Sequence, residues 1–372
     1  MVNKLSKLHW FKDAIAIEDR DPEGHYLKRP IQVEMHPYFI KQEKPCTNNC
    51  LWCTRGNDRQ NLKRGIDPQR LIDFIYSLNE FGVPGEFALA GNCTEPLLYP
   101  RIKEVINTIK EINSSVRLYS NFLYGNKIYG IVPELDERDI IRISLDAGKS
   151  ESYIKNHRPC EANTFSIIIE NIKNLIKIRS ESNCKFSVII TYLLNKNNCD
   201  KSEIEWIMRF AATNKIDAVW FSRPLKPFNV KQDFKSLTDT ELTEIKKNID
   251  QFHCQLVKSR YNTKFHFDMA SYKQNNKSFL KCHCWKIKAI LSSEGVFFPC
   301  SSTAISNYTD IGYGDINADD FDFSLFWNNL KKFTKWHNIE ISKCPECTRV
   351  DYLLNEFIDK QVTKHNCIKF LN

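Results

Sequence analysis

A chain of 372 residues is long enough for two or three domains and can bury a large hydrophobic core. Hydrophobic residues make up 42% of it and charged residues 26%, a globular balance that excludes most fibrous and disordered classes. The formal net charge of +8 leaves an anionic partner open, but no basic run is long enough to predict nucleic-acid binding.

No apolar stretch approaches the ~18 consecutive residues of a membrane-spanning helix, and the first residues lack the apolar run of a signal peptide. We therefore expect a cytoplasmic protein without a membrane partner. The sequence holds 14 cysteines, too many for an ordinary cytoplasmic enzyme and too sparse for a small disulfide scaffold. In a reducing compartment, closely spaced thiols bind metals or take part in reactions.

From Ile31 onward, short β-branched and aromatic runs alternate with amphipathic helical segments. The predicted strands are Ile31–Val33, Glu86–Ala90, Val116–Ser120, Ile140–Leu145, Phe186–Leu193 and Ala218–Phe221. The predicted helices between them include one capped by Asp67 and stopped at Gly82, then Arg101–Ile112 and Phe165–Ile178. Six alternations predict an α/β fold, a partial (β/α)6 TIM-like barrel with its functional groups at the carboxyl ends of the strands.

Beyond Pro224 the alternation stops, and the last ninety or so residues are short-segmented and rich in Cys. We predict an N-terminal extension over 1–30, the core barrel over 31–225, a linker and helical segment over 226–280, and a small Cys-rich module over 281–372. The helical segment is predicted at Asp239–Val257, and a terminal helix around Leu353–Gln361.

The segment KPCTNNCLWCTRG follows the first strand and holds Cys46, Cys50 and Cys53 with the spacing C-x3-C-x2-C. Three thiolates on one loop can bind three irons of a [4Fe–4S] cluster and leave the fourth iron without a protein ligand. A structural zinc site or a ferredoxin-type cluster would need a fourth ligand. The alternative is three unrelated thiols, or part of a zinc site.

This triplet resembles that of the radical S-adenosylmethionine (radical SAM) enzymes, and the resemblance covers roughly Ile31 to Pro224. It implies that the open iron binds S-adenosyl-L-methionine, whose reductive cleavage yields a 5′-deoxyadenosyl radical that abstracts hydrogen from a substrate. It also implies a reducing partner such as a flavodoxin or ferredoxin.

Further positions match where the family binds S-adenosylmethionine, the first in AGNCTEPLLYP after the second strand. The residues aligned with those positions are Gly91, Thr94, Glu95, Ser120, Asn121, Arg142, Ser144 and Asp146. Asn92 and Cys93 stand where relatives often have glycine, so this turn departs from the family pattern. An ordinary salt bridge is the alternative for Arg142, and turn caps are the alternatives for Ser144 and Asp146.

A second group of thiols, in KCHCWKIKAILSSEGVFFPC and SKCPECTRV, comprises Cys284, Cys300, Cys344 and Cys347. A hairpin of Ala289–Leu291 and Val296–Phe298, turning at Gly295, is predicted to bring the first two together. Four thiolates complete a metal site, and the spacing alone does not separate zinc from an iron–sulfur cluster. Cys282 satisfies the same spacing as Cys284.

This module resembles the twitch domain, related to the longer SPASM domain of many radical SAM enzymes. The resemblance implies one auxiliary [4Fe–4S] cluster with four protein ligands, and a zinc ribbon is the alternative.

The resemblance implies an enzyme that oxidises, epimerises or cross-links a small molecule (a sugar, nucleoside or aminoglycoside) or a peptide. The auxiliary cluster favours oxidation, and the forty-five residues before Cys46 favour a small molecule or a peptide without a leader. Cys93 and Cys160, expected near the barrel mouth, are candidate hydrogen donors, with simple packing as the alternative. A different class, a zinc- or iron–sulfur-structured nucleic-acid-binding or electron-transfer protein, remains the alternative function.

Overall fold

The structure is a computed structural model, and it describes residues 27–53, 62–91, 94–224, 235–268, 278–279, 281–305, 309–344 and 347–356. No helix among these residues is long and apolar enough to cross a membrane. Most of the predicted N-terminal extension, the candidate hydrogen donor Cys93 and the second half of the predicted terminal helix lie outside the described residues.

The described part of the chain alternates strands and helices as predicted. The strands are β1 (Gln32–Met35), β2 (Glu86–Leu89), β3 (Ser115–Ser120), β4 (Ile140–Ser144), β5 (Ser187–Leu193), β6 (Ala218–Ser222), β7 (Lys264–Asp268), β8 (Lys288–Leu291), β9 (Val296–Phe298) and β10 (Tyr313–Asp315). The helices are α1 (Pro68–Phe81), α2 (Ile102–Glu111), α3 (Ser150–His157), α4 (Thr164–Glu181), α5 (Lys201–Thr213), α6 (Asp239–Lys258), α7 (Ser301–Ile305), α8 (Phe323–Trp327), α9 (Leu330–His337) and α10 (349–356). Short 3-10 helices lie at Pro96–Leu98, Gly125–Glu134, Cys284–Lys286, Thr309–Ile311 and Ile341–Lys343.

The strands form one ten-stranded sheet in the order β10-β9-β8-β1-β2-β3-β4-β5-β6-β7. Strands β1 to β7 are parallel neighbours in sequence order, which is the arrangement of a partial TIM-like barrel. The predicted α/β barrel class is therefore confirmed. The structure adds β7, a seventh parallel strand in the segment predicted to be a linker and helix, which sequence reading missed because its pattern is short and half polar.

The predicted hairpin near the C-terminus is also present, as β8 and β9. Strand β8 pairs in parallel with β1, with Val33 opposite Ala289, so the hairpin continues the sheet of the barrel. The predicted domain boundary at residue 281 stays a prediction.

The two faces of the sheet differ in character, as β4 shows. Ile141 and Ile143 are buried in the core between the sheet and the helices. Arg142 and Ser144 alternate with them and therefore project from the opposite face, toward the barrel interior. The polar side chains on the interior face can contact a ligand, while the apolar side chains anchor the strand in the core.

Helix α1 shows how local sequence sets an element that carries the site. The side chain of Asp67 accepts hydrogen bonds from the backbone N–H groups of Gln69 and Arg70, with Pro68 at the first helical position. Gly82 ends the helix with φ of 144°, a value that a residue with a Cβ rarely adopts. The predicted bounds of this helix are confirmed.

Candidate functional site

The first cysteine loop follows β1 and carries Cys46, Cys50 and Cys53, all partly buried. Its backbone is tied to the ends of the neighbouring strands, because Pro45 O accepts a hydrogen bond from Glu95 N at 2.8 Å. Thr47 O accepts one from Cys160 N at 3.2 Å, so the exposed Cys160 lies in a segment that touches this loop. The loop that carries the three thiols thus lies at the carboxyl end of the sheet.

His157, at the end of α3, contacts the middle thiol, and sequence reading did not single it out. Its Nδ1 lies 3.2 Å from Cys50 Sγ, while its Nε2 lies 3.1 Å from Leu145 O. Burial lowers the pKa of His157 to about 3, so the imidazole is neutral. Because a carbonyl only accepts, Nε2 carries the proton and Nδ1 faces the sulfur. Trp52 packs edge-on against the same ring at 5.3 Å.

The loop after β2 is built around Gly91. A Cβ at this position would lie 1.9 Å from Thr94 O, so no side chain fits without moving the backbone. The hydroxyl of Thr94 is buried and has no hydrogen-bond partner among the described residues. A buried, unpaired hydroxyl beside a tight backbone turn is a feature that a bound polar ligand would satisfy.

Glu95 joins the ends of β2 and β3. Its carboxylate accepts hydrogen bonds from Leu97 N, Ser120 Oγ and Asn121 N at 2.7 to 3.1 Å. Burial raises the pKa of Glu95, and these three donors oppose that rise. The amide of Asn121 in turn donates to Thr47 Oγ1 at 3.0 Å and lies 3.9 Å from Cys46 Sγ. Ser120, Asn121 and Glu95 therefore position the cysteine loop.

The three polar residues predicted on β4 have different environments. Arg142 Nε donates to Thr191 Oγ1 at 2.7 Å, and Ser144 makes no side-chain hydrogen bond within the described residues. Asp146, 1% exposed with φ of 50°, accepts a hydrogen bond from Leu193 N, and burial raises its pKa to about 7. Its Oδ2 lies 3.4 Å from His157 Nε2 and is buried without a hydrogen-bond partner among the described residues, so its predicted contact with S-adenosylmethionine stays a prediction.

A cavity lies between the β8–β9 hairpin and α10, and we call it the second cavity because the second group of thiols lines it. The four predicted ligands Cys284, Cys300, Cys344 and Cys347 all line it, and Cys282 is a fifth thiol in the same wall. The other lining residues are Phe279, Ser302, Ile341, Asp351 and Asn355. Sequence segments up to sixty-five residues apart therefore bring five thiols to one place, as a multinuclear cluster requires.

Buried charges connect this second cavity with β1. Lys288 Nζ contacts Asp351 Oδ1 at 2.9 Å and Glu34 Oε2 at 3.5 Å, and His36 Nε2 lies 3.0 Å from Glu34. Burial opposes both charges, but Lys288 and His36 lower the pKa of Glu34 to about 2, and the two carboxylates raise that of Lys288. Both groups are thus ionised at neutral pH.

No group of three or more His, Cys, Asp or Glu side chains in the described ranges is close enough to hold a single metal ion. The ligands of a cubane cluster bind different irons and lie farther apart than the ligands of one ion.

A mainly parallel α/β sheet with a three-cysteine loop at the end of its first strand is the fold of the radical SAM enzymes, and this chain has that fold. The structure aligns with Streptococcus suis SuiB bound to S-adenosylmethionine with a TM-score of 0.60 at 13% identity, covering 100% of this chain and 87% of SuiB. It aligns with anSMEcpe, solved with bound AdoMet and Cp18Cys peptide, with a TM-score of 0.54 at 15% identity, covering 83% of each chain. The resemblance predicted from the cysteine triplet is confirmed by these structures at the level of the fold.

Sequence comparison finds only partial matches to known proteins. No family model matches the chain. A Helicobacter pylori protein named UPF0026 protein is 29% identical over 143 residues, which is 37% of this chain. The aligned region spans 46% of that relative, about half its length.

Proposed function

We propose that the protein is a radical SAM enzyme, with Cys46, Cys50 and Cys53 holding a [4Fe–4S] cluster whose fourth iron binds S-adenosyl-L-methionine. The observation that carries the proposal is the placement of these three thiols on one loop at the carboxyl end of β1, in a fold shared with SuiB. When bound, the cluster and S-adenosylmethionine supply reductive C–S cleavage and a 5′-deoxyadenosyl radical for hydrogen abstraction.

The residues present fit these cofactors. Gly91 leaves backbone space that a Cβ would fill, and Thr94 offers a buried hydroxyl that lacks a protein partner in the described structure. Ser144 presents a second available hydroxyl on the interior face of β4. Glu95 and Asn121 hold the cysteine loop against β3, so the protein's part is to position the thiols before any cofactor binds.

We extend the proposal to one auxiliary [4Fe–4S] cluster in the second cavity, in a twitch-like module. Support comes from the five thiols that line the cavity, since four are enough for the cluster. Lys288 lies beside the cavity and is paired with Asp351, which lines it, and with Glu34, so its charge is balanced within the protein. In such an enzyme the auxiliary cluster would accept an electron from a substrate radical, so we favour an oxidative outcome over epimerisation or cross-linking.

The substrate class is proposed as a peptide or a small molecule. SuiB has been solved with its precursor peptide SuiA, and anSMEcpe with a Cp18Cys peptide, which supports a peptide. Cys160, exposed and adjacent to the cysteine loop, stays a candidate hydrogen donor. A flavodoxin or ferredoxin is the proposed reductant.

Anaerobic reconstitution tests the proposed function directly. The full chain, loaded with iron and sulfide and reduced with dithionite, is expected to bind about eight irons and to convert S-adenosylmethionine into 5′-deoxyadenosine and methionine. Chromatography of the products measures the conversion. Absence of 5′-deoxyadenosine from protein with a full iron content would contradict the proposal, and bound zinc without sulfide would support the zinc alternative.

Gly91→Ala is expected to weaken binding of S-adenosylmethionine at least about tenfold while the iron content stays unchanged. The added Cβ would lie 1.9 Å from Thr94 O, so the loop must move by an ångström or more, and such a displacement at a binding site costs affinity. Equilibrium dialysis with labelled S-adenosylmethionine measures the change. The matched control is Gly130→Ala, where the nearest atom to a Cβ is a flexible lysine amine at 3.6 Å.

A further inference from the structure

The interior face of the barrel carries charged side chains, and most of them are paired. Arg117 on β3 contacts Glu86 at 2.6 Å, and Arg349 on α10 contacts Asp268 on β7 at 2.6 Å. Each of these guanidinium groups thus has a carboxylate partner in the protein. Paired charges of this kind hold the strands and α10 together and leave little net charge.

Arg142 differs from both. It lies between two aromatic rings, with its guanidinium carbon 5.0 Å from the centre of Trp220 and 5.6 Å from that of Tyr119. Its Nε donates to Thr191, and within the described ranges no carboxylate forms an ion pair with it. Its side chain also hydrogen-bonds Tyr119, but a guanidinium has five N–H donors, so donors remain for an anion.

Two further side chains pack on Trp220, the ring on which Arg142 stacks. Arg349 also stacks on Trp220, at 5.2 Å, and His266 packs against the same ring at 4.9 Å. Although burial lowers the pKa of Arg142, a guanidinium stays protonated at neutral pH. The charge of Arg142 acts on the carboxylate of Asp146, but the two form no ion pair. A partly buried cation without such a pair is costly unless a bound anion compensates it.

Arg142 lies deeper in the barrel than the groups proposed to bind S-adenosylmethionine, including Ser144 on the same strand. The cysteine loop and Gly91 follow β1 and β2, whereas the partners of Arg142 stand on β3, β5 and β6. Arg142 also precedes the end of β4 by two residues, one interior layer below Ser144. These positions lie toward the middle of the barrel, where a substrate rather than the cofactor would extend.

We propose that Arg142, stacked on Trp220, binds an anionic oxygen group of the substrate, a carboxylate or a phosphate, inside the barrel. The inference rests on the proposed function and narrows its substrate to molecules that carry such a group. It assigns to the substrate an arginine that the family resemblance would give to S-adenosylmethionine.

The test measures anion binding by the reconstituted full chain at constant ionic strength, set with chloride. Sodium phosphate and sodium malonate are the probes, and the rise of the thermal midpoint with anion concentration gives each dissociation constant. Arg142→Gln is expected to weaken binding of the preferred probe about tenfold or more, the size of a charge-assisted, bidentate contact. Arg209→Gln, at an exposed arginine on α5 that stacks on Phe252, is the matched control and should change nothing.

Arg142→Lys keeps the positive charge but loses the planar guanidinium, so its affinity for the anion should lie between those of wild type and Arg142→Gln. This variant provides a second test if Arg142→Gln fails to fold. Tighter binding of phosphate than of malonate by the wild type would indicate a phosphate group on the substrate, and tighter binding of malonate would indicate a carboxylate. Equal binding by wild type and Arg142→Gln, or no binding by either, overturns the inference, and so does a loss of S-adenosylmethionine binding in Arg142→Gln with anion binding intact. A wild type that binds the anion but never forms 5′-deoxyadenosine would contradict the proposed function instead, so the two failures are distinguishable.

Discussion

Cys50→Ala is expected to abolish cleavage of S-adenosylmethionine and to lower the iron content from about eight to about four per chain. Cys50 is the middle thiol of the triplet, and two remaining thiolates on a short loop cannot retain a cluster that already lacks a fourth protein ligand. Because only the bound cluster can reduce the sulfonium bond, the loss should be complete rather than graded. Iron analysis and chromatography of 5′-deoxyadenosine measure the two effects.

The matched control for Cys50→Ala is Cys254→Ala, which removes an exposed thiol on α6, away from both groups of cysteines. It should retain full iron content and activity. Cleavage by the Cys50→Ala protein at more than a trace of the wild-type rate would show that the triplet is not the reductive site. A loss of iron in Cys254→Ala would show instead that reconstitution, not ligation, limits the iron content.

Removing one cysteine of the second cavity should leave cleavage of S-adenosylmethionine intact and stop oxidation of the substrate. Cys300→Ala is expected to lose about four irons and to form 5′-deoxyadenosine without oxidised product, because the first cluster stays while the electron acceptor is gone. Iron analysis, together with the ratio of product to 5′-deoxyadenosine once a substrate is known, measures this uncoupling. An unchanged iron content would contradict the auxiliary cluster.

The fifth thiol of that cavity gives a sharper comparison. Cys284 is fully buried, its sulfur donates toward Asp351 O at 3.6 Å, and Asn355 donates to it at 3.3 Å. The contact with Cys284 lowers the pKa of Cys282 and, with burial, raises that of Cys284. Because the thiol of Cys284 is held by Asp351 O and Asn355 while Cys282 is the less buried of the two, we expect Cys282→Ala to lose the auxiliary irons and Cys284→Ala to keep them. The reverse result would restore the ligand chosen from sequence spacing.

The sequence was most informative where periodicity and spacing decide the structure. Six strands were predicted because buried parallel strands are short apolar runs, and α1 because Asp67, Pro68 and Gly82 are local signals. Strand β7 was missed because Phe265 and Phe267 alternate with polar residues that face the barrel interior. Each residue of β7 pairs with a residue of β6 forty-six positions earlier, and such a distant pairing cannot be predicted from a local sequence pattern.

In the candidate site too, local features could be predicted from the sequence and contacts between distant residues could not. Spacing alone predicted the two groups of cysteines, since the positions within the first group are local in sequence. The contacts of Cys50 with His157 and of Arg142 with Trp220 join residues seventy-eight or more positions apart, and only the fold brings them together. The role of Arg349 could not be predicted from the sequence either, because its ion pair with Asp268 depends on how α10 packs against the barrel.

The pairing of β8 with β1 means that the C-terminal segment covers an edge of the barrel sheet. In a chain cut before Cys282, the backbone N–H and C=O groups on the outer side of β1 would face solvent as a bare sheet edge. Such edges recruit strands from other molecules and drive aggregation. With the module in place, the sheet instead ends at β10, three residues long and shifted in register by an irregularity. We therefore expect the barrel to aggregate when the chain from Cys282 onward is removed.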